Sequence, residues 1–130
     1  MAGPEVVVVR ETASLADAVQ LLLETVGFHV EAFDSPARAF AHIRERERVP
    51  LAIVVACNHS TCETLRAYPD DLPTALLPLP LLVVGRSLTA PAGAVPSNVR
   101  FIALPLQAKE FLAMLERLAA SDARLVALAH

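Results

Sequence analysis

The chain has 130 residues and a mass of 13.9 kDa, the size of one domain that can bury a hydrophobic core without metal or disulfide support. A hydrophobic content of 55% and a mean hydropathy of +0.49 argue against disorder, yet no apolar run reaches the length of a membrane span. A formal net charge of −3 argues against a broad nucleic-acid surface, so we expect no direct nucleic-acid contact by this domain.

The N-terminal part of the sequence begins with a strand pattern followed by a helix pattern. Residues 6–9 form a continuous β-branched run, typical of a strand buried on both faces. A helix is predicted next, capped by Thr12 or Ser14, with Ser14 and Asp17 spaced as in a capping box. Gly27 stands where a helix commonly ends in the left-handed conformation.

A second strand and helix follow the glycine. Residues 28–32 alternate between apolar and polar side chains, which predicts a less buried strand. The sequence Asp34-Ser35-Pro36 predicts the start of a second helix, because proline is tolerated in the first helical turn. We expect Phe40 and Ile43 to face inward, and the alternating charges of residues 44–48 to form a solvated helix end.

The second half of the sequence predicts three more strands, at residues 51–55, 81–84 and 99–103. Residues 60–67 fit a short helix, whereas the prolines within residues 68–80 exclude one regular element. Proline and glycine within residues 86–98 predict that a fourth helix is short or absent. Residues 107–119 predict the last helix.

Strands that alternate with helices imply right-handed crossovers and a parallel sheet covered on both faces. We therefore predict an α/β fold with a five-stranded, doubly wound sheet in the flavodoxin-like order 2-1-3-4-5. One domain is expected over residues 1–120, with residues 121–130 as a C-terminal tail or the start of a linker helix. Ligands of such sheets bind at the carboxyl ends of the strands.

The order and spacing of these segments resemble the receiver (CheY-like) domain of two-component response regulators, over roughly residues 5–120. Arg10 and Glu11 stand where the family has two acidic residues after an apolar strand. Residues 21–30 look like the end of the first helix, its glycine and the second strand. Residues 50–56 align with the segment that ends in the phospho-accepting aspartate. Residues 80–84 match the fourth strand, and Leu104-Pro105 match a lysine–proline pair.

The same resemblance exposes the loss of the phosphorylation residues. It places Arg10 at the first acidic position, retains an acid at Glu11, and puts Ala56 at the acceptor, Gly85 at the hydroxyl and Leu104 at the lysine. It thus implies a degenerate pseudo-receiver with no phospho-acceptor, no bound metal, no cofactor and no enzymatic activity. It also implies a cis peptide bond before Pro105.

Two interpretations of Arg10 stay open from the sequence. Its side chain takes the electrostatic place of a metal, by pairing with Glu11 or with backbone carbonyls, or it extends into solvent. The segment from Cys57 to Cys62 contains a histidine as well, but the spacing matches no known zinc pattern, so a plain loop is preferred. The cysteines and the lack of a signal peptide fit a reduced, cytoplasmic protein.

The expected function is phosphorylation-independent signalling or regulation by protein–protein interaction, as the receiver-like domain of a bacterial transcriptional regulator or another two-component-type protein. The partners would be an output domain or another protein, with no membrane contact. Heptad-like spacing predicts a weak homodimer through the last helix, with contacts from Phe111, Met114, Leu118, Leu125 and Leu128. The alternative is a module that binds a small ligand such as a nucleotide second messenger, using Arg10, Glu11 and Arg86.

Overall fold

A computed structural model describes residues 5–45, 50–57, 80–85, 99–103 and 107–117 of the chain. Five strands form one sheet in which every neighbouring pair is parallel, in the order β2-β1-β3-β4-β5. The strands are β1 (Glu5–Val9), β2 (His29–Phe33), β3 (Ala52–Ala56), β4 (Leu81–Gly85) and β5 (Val99–Ala103). The predicted fold class and strand order are confirmed.

Strand boundaries differ from the sequence prediction by about one residue at several ends. The third strand begins at Ala52 and ends at Ala56, because the pairing of β3 with β1 starts at Val6 opposite Ala52. The second strand begins at His29, since the preceding residue still belongs to the end of the first helix. Ala56 is therefore the last residue of a paired strand and has its backbone fixed.

The first helix, α1 (Ala13–Thr25), begins earlier than the capping-box pattern indicates. Thr12 is the N-cap residue, and it makes no side-chain hydrogen bond to the cap. Ser14 lies inside the helix and Asp17 lies beyond its first turn, so the predicted Ser14–Asp17 capping box is wrong. The carboxylate of Asp17 instead contacts the side chain of Arg10.

Gly27 ends α1 as predicted. Its φ of +99° is in the left-handed region, and its N–H donates to the carbonyl of Glu24 at 3.1 Å. The N–H of Phe28 donates to the carbonyl of Leu23 at 3.1 Å, which completes the hydrogen-bond pair of a Schellman motif. The chain thereby reverses directly into β2.

The second helix, α2 (Pro36–Glu45), begins at the proline that the sequence singled out. The backbone N–H of Arg38 donates to Oγ of Ser35 at 3.3 Å, so Ser35 caps the helix. Phe40 and Ile43 are buried against the sheet, as predicted. A further helical stretch covers residues 108–117, where the described part of the chain ends; we call it the C-terminal helical segment.

The core has two layers, one on each face of the sheet. On one face α2 contributes Ala39, Phe40 and Ile43, which pack on alternate residues of β1, β3 and β4. On the other face α1 and the C-terminal helical segment pack on the remaining alternate residues. The buried runs of β1, β3 and β4 read as apolar throughout for this reason.

Several predictions concern residues that the structure leaves undescribed. These are the short helix at residues 60–67, the reduced fourth helix within 86–98, Cys62, the end of the last helix and the tail at 121–130. Within the described ranges, no helix combines the length and apolar character needed to cross a membrane.

Candidate functional site: the carboxyl edge of the sheet

The carboxyl ends of the parallel strands meet at one edge of the sheet, which we call the carboxyl edge. β1 and β3 stay in register up to Val9 and Val55, so Arg10 and Ala56 follow at the same level. Ala56 pairs in turn with β4, whose last residue is Gly85. The register thus brings together Arg10, Ala56 and Gly85, which lie far apart in sequence. Leu104, Pro105 and Arg86 lie outside the described residues.

Backbone hydrogen bonds fix this edge. The N–H of Arg10 donates to the carbonyl of Phe33 at 2.8 Å, and the N–H of Thr12 donates to the carbonyl of Ala56 at 2.7 Å. The N–H of Cys57 donates to the carbonyl of Val84 at 2.9 Å. The turn into α1 is therefore anchored to β3, and the ends of β1 and β2 are joined.

Ala56 occupies the position that the receiver resemblance assigns to the phospho-acceptor. Its side chain is fully buried in the layer that contains Val8, Ala16 and Val84. A methyl group in this setting has no oxygen that can attack a phosphoryl donor or bind a cation. Gly85, at the position of the family's hydroxyl, supplies no side chain either.

Arg10 carries the main charge interaction of the edge. Its Nη1 donates to Oδ1 of Asp17 at 2.6 Å and lies 3.4 Å from Oε1 of Gln20. Its Nε lies 3.7 Å from Oδ1 of Asp34. The side chain is 22% exposed, so the interpretation that it extends freely into solvent is wrong. Glu11, the acid retained after Arg10, is half-buried.

The sequence interpretation named neither Asp17 nor Asp34 as a partner of Arg10. The sequence pattern assigns Asp17 to a capping box and Asp34 only to the start of a helix. A usable signal was present for Asp34. Once β1 and β2 are taken as parallel neighbours, with Val9 opposite Phe33, the next residues are Arg10 and Asp34, and their charges are opposite. The contact with Asp17 depends on the rotation of α1, which the sequence pattern places less accurately.

Two histidine–glutamate pairs lie on the α2 side of the sheet. Nε2 of His42 is 2.8 Å from Oε1 of Glu5, and the ring of His42 lies 4.8 Å from that of Phe33. Nε2 of His29 is 2.9 Å from Oε1 of Glu31. Among the described residues, no group of three or more histidine, cysteine, aspartate or glutamate side chains is arranged to hold a metal ion.

The predicted dimer contact falls partly within the described residues. Phe111 and Leu115 are buried in the layer beneath α1, and Met114 is half-buried against the same layer. With its side chain in the monomer core, Phe111 offers almost no surface to a second copy. The other predicted contact residues, Leu118, Leu125 and Leu128, lie beyond the described part of the helical segment.

No protein-family model matches the sequence, and no curated protein matches it. Solved structures do match. The receiver domain of a sensor histidine kinase from Pseudomonas aeruginosa, which has a magnesium ion coordinated in its active-site cleft, is 18% identical with a TM-score of 0.61, covering 89% of this chain and 97% of that one. The chemotaxis protein CheY4 of Vibrio cholerae is 18% identical with a TM-score of 0.65, covering 90% and 99%.

A third similar structure is the N-terminal domain of a response regulator/sensory box/GGDEF three-domain protein from Carboxydothermus hydrogenoformans. It is 14% identical with a TM-score of 0.69, covering 93% of this chain and 98% of that domain. The five-stranded parallel sheet, its order and its two helical layers are those of these proteins. The chain therefore has the receiver, or CheY-like, fold.

Proposed function

We propose that the chain is a signalling or regulatory module that works without aspartyl phosphorylation, through protein–protein interaction. It would serve as the receiver-like domain of a bacterial transcriptional regulator or another two-component-type protein, in the cytoplasm, and not as an enzyme. The observation that carries this proposal is the fully buried Ala56 at the end of β3, where a phosphorylatable receiver needs a carboxylate.

The charge of Arg10 supports the same proposal. The similar structure from Pseudomonas aeruginosa coordinates magnesium in its cleft. In this chain a guanidinium follows β1, next to the level of Ala56. The side chain of Arg10 offers no oxygen to a cation, and the nearby carboxylates of Asp17 and Asp34 are already paired with its guanidinium. Magnesium also prefers carboxylate oxygens, which Ala56 and Gly85 lack.

The small-ligand alternative finds less support at this edge. An anionic ligand would have to compete with Asp17, which already holds Nη1 of Arg10 at 2.6 Å. An anionic ligand would therefore share the guanidinium with a carboxylate that is already in place.

Intact-mass spectrometry after incubation with a small-molecule phosphodonor tests the first half of the proposal. The protein should gain no phosphoryl group with or without Mg²⁺, while a receiver domain that retains its aspartate gains one in the same reaction. A stoichiometric gain of one phosphoryl group by this chain would overturn the proposal.

The interaction half of the proposal includes a weak homodimer through the C-terminal helical segment and the tail. Sedimentation should show dimers at roughly 100 micromolar protein, about a hundred times a Kd on the order of micromolar. A Met114→Glu, Leu125→Glu double variant should be monomeric, because like charges would face each other across a two-fold axis. Ala108→Glu, at an exposed helical position, is the matched control and should leave dimerisation unchanged. A monomeric parent protein at that concentration would refute the dimer.

A further inference from the structure

The guanidinium of Arg10 contacts acidic side chains from two different segments of the fold. Asp17 belongs to α1, and Asp34 belongs to the turn between β2 and α2. The two carboxylates approach different nitrogens, Nη1 at 2.6 Å and Nε at 3.7 Å. Gln20 adds a neutral acceptor to Nη1 from the next turn of α1.

Burial and distance rank the two contacts. Arg10 is 22% exposed, whereas Asp17 and Asp34 are 67% and 83% exposed. The arginine is therefore the more buried partner in both contacts, and the two acids lie largely in solvent. The contact with Asp17 is the stronger one, because it is shorter and the acid is less exposed. An arginine suits this role because its planar fork presents several N–H groups in fixed directions at once.

We propose that Arg10 is a positioning residue that couples the start of α1 to the turn between β2 and α2, so that a change at one segment is felt at the other. This proposal rests on the proposed function. A module that is not switched by phosphorylation needs another way to transmit a structural change between the segments of the carboxyl edge. Asp34 is exposed enough for a partner to contact it, and a partner that draws Asp34 away from Arg10 alters the hold on α1.

A backbone amide reports on this coupling. The N–H of Thr12, just before α1, is bonded to the carbonyl of Ala56 and exchanges with solvent only when that bond opens. Loss of the Arg10 contacts loosens the start of α1, so the Thr12 amide exchanges faster. The amide of Val54, in the centre of β3, reports global opening and separates a local effect from a general loss of stability.

Hydrogen exchange measured by NMR on the full chain, in a double-mutant cycle, tests the proposal. Arg10→Gln should speed exchange of the Thr12 amide about threefold to fivefold and leave Val54 unchanged; fivefold corresponds to about 1 kcal/mol. Asp34→Asn should speed Thr12 exchange about twofold in the parent protein, as expected for an exposed ion pair, and should have no effect in the Arg10→Gln background. Arg10→Lys keeps the charge but loses the planar guanidinium. Its Thr12 exchange rate should lie between those of the parent protein and of Arg10→Gln.

The matched controls are Arg38→Gln on α2 and Glu110→Gln on the C-terminal helical segment, which remove one exposed charge of each sign. Neither should change Thr12 exchange. The proposal is overturned if Arg10→Gln behaves like Arg38→Gln, if Asp34→Asn has the same effect with and without Arg10, or if Val54 accelerates as much as Thr12. These outcomes leave the phosphodonor result untouched, so failure of the coupling and failure of the proposed function are distinguishable.

Discussion

At the scale of single residues, the carboxyl edge differs from a phosphorylatable receiver by what its side chains lack and by one charge that it adds. Neither Ala56 nor Gly85 supplies a side-chain oxygen, and Ala56 is fully buried in the apolar layer. Arg10 brings a positive charge, which is paired with the carboxylates of Asp17 and Asp34. Restoring a single acid therefore does not restore a phosphorylation site.

Ala56→Asp should destabilise the protein and gain no activity. The new carboxylate would be buried beside Val8, Ala16 and Val84, and an uncompensated buried charge costs about 3 kcal/mol or more. Chemical denaturation should show this loss in the free energy of unfolding, whereas Ala56→Ser, which adds only a hydroxyl, should lose clearly less. A variant with the parent's stability would mean that the position is open to water, contrary to its burial.

At the scale of elements, α1 and α2 are fixed to the rest of the fold by different contacts. α1 ends in the hydrogen-bond pair around Gly27 and is held near its start through Arg10. α2 is held near its end by the contact of His42 with Glu5, the first residue of β1. The contacts of Arg10 and His42 each join a helix to the end of a strand. Losing either should lower the free energy of unfolding more than losing an exposed contact of the same chemistry.

Gly27→Ala should lower the free energy of unfolding by about 1 kcal/mol, measured by urea denaturation. The cause is backbone strain, because φ is +99° and residues with a Cβ lose roughly 1–2 kcal/mol in the left-handed region. Contact with neighbours contributes nothing, since an added Cβ would meet no atom within 4 Å. Gly27→Asn should cost less, because asparagine tolerates this conformation better. Equal losses for alanine and asparagine would point to another cause.

Glu5→Ala should cost about 1–2 kcal/mol, because it removes the partner of a largely buried histidine. The side chains of His42 and Glu5 are 18% and 12% exposed. The matched control is Glu31→Ala, which removes the same kind of contact from His29, where the side chains are 44% and 36% exposed. Solvent screening should hold its cost below about 0.5 kcal/mol. Thermal unfolding of both variants checks the order, and a larger loss for Glu31→Ala would contradict it.

At the scale of the whole molecule, the architecture follows from the sequence because the signals are long and redundant. The β-branched run of β1 and the apolar runs of β3 and β4 are typical of strands buried on both faces, and alternation with helix patterns indicates a parallel sheet. The one-residue shift of β3 arises because an apolar run does not mark where pairing begins. The heptad-like spacing predicts Phe111 at a dimer surface, but its side chain is buried in the core, because helical spacing alone does not separate the two.

The candidate site is less accessible to sequence reasoning than the fold. Its positions follow from the register, and the loss of the acceptor at Ala56 is visible from the chain alone. The pairing of Arg10 with Asp17 is not, because it requires the rotation of α1 about its axis, and that rotation is set by packing in the core. Side-chain pairing across elements is thus the part of the site that the sequence pattern does not predict.

Amide NMR of the full chain reports whether the carboxyl edge binds Mg²⁺ or a phosphoryl group. Spectra are recorded before and after addition of Mg²⁺, and again with a small-molecule phosphodonor. We expect the amides of Arg10, Ala56 and Gly85 to keep their chemical shifts at every stage. Saturable shifts of these amides with Mg²⁺, or a new set of signals with the phosphodonor, would contradict it.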